Sequence, residues 1–426
     1  MPSNDLAAVL ALIEPEYSKS VTDLCALPTT AISRIEKAET KRMNTKGYFE
    51  RLHVAYNTAK GATNDRGNFL AGGGDKYIEI LIGAVFNHIS GEMTGHYFRN
   101  LQAPKSIAEN LSQKMLNDVK ALNNEREMQF CLGDGLNSKG VVTSIVYSAP
   151  NTTVTFAAPM GSFYIEEGRS YYAHHPTTFA RHGHATASFP CVSVPTATTA
   201  VFTGDMTGGT TVAAGDILCG QGSADGESTL NRAIRGPAYW CAKTGDYFGA
   251  NRDVITKTQG NRYDFGGNMI SHQGLEAMDK IYDYRWGTNP RGTLDHVDFW
   301  SPANVQGYLL PAYLLRRLNT EDYKHYDGKA RMQGDGGREL VVSKYFIATS
   351  LYRLNVSFCN KYEIQPVQLW DLDDKKVRTF SANGGQMDLI TWTHTVYDNF
   401  GCRNPGEQIE GFGLGTANLT TNLNFF

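Results

Sequence analysis

The chain has 426 residues, more than one hydrophobic core usually covers, so two or three domains are expected. Hydrophobic residues make up 41% and charged residues 19%, which excludes a disordered chain, and 43 glycines with 22 tyrosines and 20 phenylalanines favour β-structure with many turns. A net charge of −3 excludes the strongly basic balance of a protein that grips DNA by its phosphates.

Residues 1–46 read as a polar arm. Asp5 stands where a secretory signal needs a basic region, and the apolar run over residues 6–13 stops at Glu14-Pro15, so no signal peptide is expected. No run of about 18 apolar residues occurs, which excludes a membrane-spanning helix. A short amphipathic helix over residues 3–13 puts Leu6, Val9, Leu10 and Ile13 on one face. The charged stretch over residues 34–42 then predicts an extended segment with little core of its own.

Residues 47–82 read as a long hairpin. Glu50, Leu52, Val54 and Tyr56 alternate with Arg51, His53 and Ala55, a period of two. The tip, Lys60-Gly61-Ala62-Thr63-Asn64-Asp65-Arg66-Gly67, is too polar for a core, so the hairpin should project and lie on something else. Its apolar members Tyr48, Leu52, Val54 and Tyr56 need cover, as do Leu6 and Leu10 of the arm. A neighbouring copy is the expected source.

Residues 83–138 hold the clearest single element. Ser106 and Glu109 form a capping box, and Ile107, Leu111, Met115, Val119 and Leu122 make an apolar stripe. Lys114, Asp118, Glu125 and Glu127 are left for other faces, and Gly133 supplies the stop. A helix over residues 107–132 would be roughly 40 Å long and needs strands along one side.

Residues 139–235 switch to β character, with short strands expected over 141–147, 152–156, 163–165 and 197–203 and another turn-strand unit at 215–218. Residues 236–400 read as an α+β domain: a helix over 275–286, a second starting at Ser301-Pro302 and kinked by Pro311, then strands over 340–347, 351–358, 363–372 and 387–396. Residues 401–426 read as a glycine- and asparagine-rich tail.

Catalytic motifs are missing: there is no G-x-S-x-G, no H-E-x-x-H and no phosphate-binding Gly-Lys-Ser/Thr after the glycine runs at 72–74 and 334–337. The seven cysteines, Cys25, Cys131, Cys191, Cys219, Cys241, Cys359 and Cys402, are odd in number and widely spaced, which fits reduced thiols. No metal or cofactor is assigned. His174, His175, His182 and His184 are the metal candidates, His182 and His184 on one side of a strand with Glu166 or Glu167 to complete a site. The preferred reading of these residues is a solvated β-turn region rich in His and Tyr. Asp371, Asp373 and Asp374 are followed by Lys375 and Lys376 and read as a charged turn rather than a calcium site. The five tryptophans read as core or subunit-contact residues.

The order of these parts resembles the tailed-bacteriophage major capsid family, the Hong Kong 97 type. The stretch that carries the likeness runs from Tyr77-Ile78-Glu79-Ile80-Leu81-Ile82 through Ile89-Ser90-Gly91-Glu92 and the capped helix to Gly133-Asp134-Gly135. Gly161-Ser162-Phe163, Gly215-Asp216-Ile217 and Leu230-Asn231-Arg232-Ala233-Ile234 resemble the β insertion of one branch. Together these cover roughly residues 47–400.

The resemblance implies an α+β capsid fold: N-terminal arm, extended β-hairpin loop, long spine helix, β-rich insertion and α+β axial domain. It also implies no enzyme and no cofactor, self-assembly into hexamers and pentamers of an icosahedral shell around double-stranded DNA held without sequence-specific binding, and location in the virion after assembly in the host cytoplasm. An arm of only about 46 residues implies a separate scaffolding protein and an unprocessed N-terminus; the resemblance adds a portal protein and a decoration protein as further partners, and no membrane is involved. Lys60 lies in the loop where some family members cross-link, but no motif around it matches, so no cross-link is assigned. The alternatives are a metal-dependent β-rich enzyme using the histidine cluster, and a cellular nanocompartment shell of the same fold.

Overall fold

The computed structural model describes residues 30–36, 40–44, 46–57, 59–61, 72–94, 104–158, 160–178, 180–182, 188–207, 212–220, 233–286, 296–305, 307–308, 338–370, 378–380 and 389–415. The expected arm helix with Leu6 and Leu10, the hairpin tip over 62–71, the Pro311 kink, the aspartate turn at 371–374, His184, Cys25 and the last residues of the tail lie outside the described residues.

The chain enters through α1 (Thr30–Glu36) and β1 (Thr40–Arg42). Here the sequence expectation fails. Ala31, Ile32 and Ile35 are buried in the main core, and β1 pairs in parallel with a strand more than 300 residues away. The charges at Arg34 and Lys41 lie on the outer side of apolar anchors, so a charged stretch conceals a core element. The hairpin follows as β2 (Tyr48–Ala55) and β3 (Lys76–Ile82), antiparallel, and leads into β4 (Val85–Thr94).

The long helix α2 spans Pro104–Leu132, 29 residues. It begins at Pro104, so Ser106 and Glu109 lie inside its first two turns, past the N-cap position; proline at a first helical position has no N–H to lose. The stop is as read: Gly133 has φ +63° and its N–H bonds the Gln129 carbonyl at 2.8 Å. The side-chain reading holds for Lys114, which is exposed, but Asp118 is half-buried against Trp392. Near the C-terminus Glu127 is fully buried, because the helix end is packed on every side.

The next strands are β5 (Ser138–Ser148), β6 (Asn151–Phe156), β7 (Ser170–His174), β8 (Arg181–His182), β9 (Phe189–Thr196), β10 (Thr199–Thr203) and β11 (Ile217–Gly220). Six of them form a closed ring in the order β11-β5-β6-β10-β9-β7, with β7 returning to β11 and β8 added on β7. Closure leaves a six-stranded barrel without free edges. Alternation along β6 sends Thr152, Val154 and Phe156 inward, and Tyr171, Phe189, Ala200 and Phe202 meet them in a core of their own. The expected strand at 163–165 is a turn, and β7 and β9 supply the ring instead.

After α3 (Pro237–Cys241) and the small pair β12 (Asp246–Tyr247) and β13 (Ala250–Asn251) come β14 (Asn261–Asp264), α4 (His272–Trp286), β15 (His296–Trp300), β16 (Glu339–Val342) and β17 (Leu351–Asn355). The chain ends with β18 (Cys359–Leu369), β19 (Arg378–Phe380), β20 (Leu389–Cys402) and β21 (Gln408–Phe412). Ser301 accepts from Asn304 N–H and Val305 N–H on its side chain and carbonyl, capping the helical turn that starts at Pro302, as the sequence predicts.

Two sheets divide this half. One runs β14-β21-β17-β15-β16; the other is β1-β18-β20-β19 with β4 also on β20. The boundary at residue 400 therefore does not follow the sheets. β18 and β20 lie with β4 under α2, and β21, read as tail, is an interior strand between β14 and β17. The tail reading fails on Gly411, whose missing Cβ is what lets the strand pass Phe265, 2.6 Å from where that carbon would stand.

Candidate assembly interface

The hairpin has two unlike faces. On one, Leu52, Ile80 and Ile82 are buried in the chain's own core, and Tyr48 lies 5.1 Å from the Tyr362 ring. Glu50 on this face accepts from Lys41 Nζ at 3.1 Å and from the Tyr362 hydroxyl at 3.3 Å. A backbone bond from Leu81 N–H to the Phe248 carbonyl (3.2 Å) ties the base down. The cover that Tyr48 and Leu52 need thus comes from their own chain. Val54 is half-buried beside a groove of about 630 Å³ whose rim also includes Tyr56, Lys60, Lys257 and Arg403. Tyr56 is 75% exposed.

The opposite face carries the other half of the alternation, which the apolar residues singled out in the sequence do not include. Register pairs Phe49 with Leu81, Arg51 with Glu79 and His53 with Tyr77. Phe49, Tyr77 and Leu81 are 56%, 60% and 42% exposed, and between them Arg51 Nε bonds Glu79 at 2.7 Å. An apolar rung on either side of an ion pair is an adhesive strip with its charges already neutralised.

The helix α2 meets the sheet by close approach. Trp392 Nε1 donates to Asp118 at 2.8 Å, Lys114 stands 5.5 Å over the Trp392 ring, and a Cβ at Gly91 would fall 2.4 Å from that ring. Farther along, Arg126 donates to the buried Asp398, and Gln129 to Asn87 at 2.9 Å. The first half of the helix leaves Leu116 55% exposed.

At its C-terminal end α2 grips the barrel. Glu125 accepts from Lys139 Nζ at 3.2 Å, from Arg169 Nη1 at 2.6 Å and from Asn137 at 2.5 Å. Burial alone would raise the Glu125 carboxyl; Lys139 and Arg169 reverse this and hold it well below the usual carboxylate range.

Of the candidate histidines, the three among the described residues, His174, His175 and His182, are not grouped as a ligand set. His182 Nδ1 lies 2.6 Å from Asp216, His175 Nδ1 accepts from Thr177 and Thr178 N–H, and His174 is buried. Glu166 pairs with Arg169, and Glu167 accepts from Val194 N–H. Among the described residues no three His, Cys, Asp or Glu are grouped to hold a metal ion. Trp240, Trp300 and Trp392 are core residues, whereas Trp370 is 42% exposed beside Phe86 on the outer face of the sheet.

No family model matches the chain, and no curated protein does. Among solved structures, a chain of the cyanophage A-1(L) capsid asymmetric unit is similar over 93% of this chain and 97% of its own, at 11% identity and a TM-score of 0.55. A chain of the capsid of a native GTA particle aligns over 95% and 96%, at 9% identity and a TM-score of 0.49. The fold is α+β and is shared with the cyanophage capsid chain.

Proposed function

We propose, from the capsid fold this chain shares with a cyanophage shell subunit, that it is a major capsid protein: a structural subunit, with no catalysis of its own, that assembles into an icosahedral head around double-stranded DNA. The observation that carries this reading is the extent of the likeness, 93% of one chain on 97% of the other, which leaves little of either chain for a second activity. Hexamers and pentamers would be held by many modest contacts repeated by symmetry. The strip of Phe49, Tyr77 and Leu81 and the protruding Tyr56 are the surfaces most in need of a neighbour; Val54, Leu6 and Leu10 are further contact candidates. Scaffolding, portal and decoration proteins are the expected partners, the virion the destination and the host cytoplasm the place of assembly. The net charge of −3 suits a wall that contains DNA without gripping it.

The test is electron microscopy and sedimentation of the purified protein, expressed alone and with a scaffolding partner. Closed shells are expected, and Phe49→Ser with Leu81→Ser should reduce shell yield at least tenfold while leaving the subunit folded by circular dichroism. Nuclease-protected DNA in particles from infected cells separates a viral head from a nanocompartment. A protein that stays monomeric at high concentration under both conditions overturns the proposal.

A further inference from the structure

Cys359 opens β18 and Cys402 closes β20, and the two stand directly opposite each other in the antiparallel ladder. The hydrogen bonding around them fixes the kind of pair. Arg403 N–H, one residue past Cys402, bonds the carbonyl of Phe358, one residue before Cys359, at 2.9 Å. That pattern defines a non-hydrogen-bonded pair, in which facing Cα atoms stand about 4.5 Å apart and side chains on one face approach most closely. A disulfide accepts Cα separations of roughly 4.4–6.8 Å, so no backbone movement is needed. Both side chains are fully buried in the same hydrophobic core. The Cys359 thiol also reaches the Asn355 carbonyl at 3.4 Å. Both are free thiols in this structure.

We propose that Cys359 and Cys402 form an oxidative modification site, closing to an intramolecular disulfide when the folded protein moves from a reducing compartment to one holding a low-molecular-weight disulfide. One cysteine, as thiolate, attacks the small disulfide and expels one thiol. The second cysteine attacks the resulting mixed disulfide and expels the other. The protein loses two hydrogens, and the small disulfide takes up two electrons and two protons to become two thiols. Burial raises the Cys359 thiol pKa and makes the first attack slow. The site lies at the ends of both strands, where ladders open first, and that is the route by which the oxidant reaches it. Once formed, the bond closes a loop of roughly 40 residues and staples β18 to β20 beneath the long helix. This inference is independent of the shell reading.

The experiment incubates the folded protein with glutathione disulfide, then denatures it in iodoacetamide. Mass spectrometry should find alkylation at five of the seven cysteines. Non-reduced trypsin digests should join residues 354–361 to residues 379–403. Oxidised protein should melt about 5 °C above reduced protein. Cys402→Ser should abolish the linkage, and Cys241→Ser, which removes a thiol of the same core, should leave it intact. Seven alkylated cysteines after prolonged exposure, or a linkage of residues 354–361 to the Cys241 peptide, overturns the proposal; the wild-type peptide map decides this even if Cys402→Ser fails to fold.

Discussion

Arg353 is a guanidinium with no exposed surface, and its surroundings give this protein a pH dependence. Nε and Nη2 donate to the two Asp298 oxygens at 2.7 and 3.0 Å, and Nη1 donates to Asp279 at 2.5 Å, which in turn accepts from Arg338 at 3.0 Å. Two buried carboxylates thus face two buried cations. His296 sits beside this cluster on β15. Burial first, then Arg338 and Arg353, lowers its pKa to about 4 from an ordinary 6.5. A folded-state pKa below the unfolded one means that the unfolded chain takes up the proton first as pH falls. Stability is therefore full above about pH 6.5 and is lost as pH falls toward 4, by about 3 kcal/mol at most. Urea midpoints at pH 7 and 4.5 check this: wild type should lose far more than His296→Asn over the interval. Equal losses would remove His296 from the account. Glu125 adds little over this interval, because a carboxyl with a depressed folded pKa loses its contribution only as pH falls from its ordinary value of 4.5 downward.

At the scale of elements, α1 depends on one residue of another helix. The two oxygens of Glu127, on α2, accept from Ala31 N–H and Ile32 N–H at 2.9 Å each, filling the place of an N-cap side chain from 95 residues away. Glu127→Ala should leave two buried N–H groups unpaired and cost about 2–3 kcal/mol, with protease cleavage near residues 30–44 appearing before the rest of the chain is cut. Glu127→Gln, which keeps an acceptor, should lose less, and unchanged cleavage in the alanine variant would refute the capping role. This contact also marks the limit of what the sequence discloses. The helix, its glycine stop, the hairpin and the Ser301 cap are legible because each is a local pattern of period, cap or turn. The role of Glu127, the place of β1 beside β18 and the burial of β21 depend on partners that are tens to hundreds of residues away, and charged or glycine-rich wording hides them. Of the interface, the hairpin was legible but its outward face was not. Phe49, Tyr77 and Leu81 alternate as regularly as Leu52 and Ile80, and tertiary contacts such as those of Tyr48 with Tyr362 and of Glu50 with Lys41 decide which side meets the body.

On the scale of the whole molecule, the barrel has a hydrophobic core of its own, apart from that of the body that carries it. Its core, from Val142 to Leu218, is distinct from the cluster that joins α1, the hairpin, the end of α2 and both remaining sheets. A closed ring has no free edge to lean on the body. Barrel and body are joined by the chain itself, by the cluster of Glu125 with Lys139 and Arg169, and by Tyr164, which is buried in the larger core with its hydroxyl donating to the Tyr345 carbonyl at 2.6 Å. Because the two cores are distinct, differential scanning calorimetry should resolve at least two transitions. Lys139→Met tests the link: Glu125 keeps Arg169 but loses its other cation in a buried place, which should cost about 2 kcal/mol, or roughly 10 °C for a unit of about 80 residues. Only the barrel transition should fall. A single transition shifting as one would mean that the two cores melt together, and that the barrel is braced by more of the surface of α2 than this ion cluster. In a shell, the difference decides whether stress on the outer parts of a subunit is absorbed in the barrel or passed along the long helix to its neighbours.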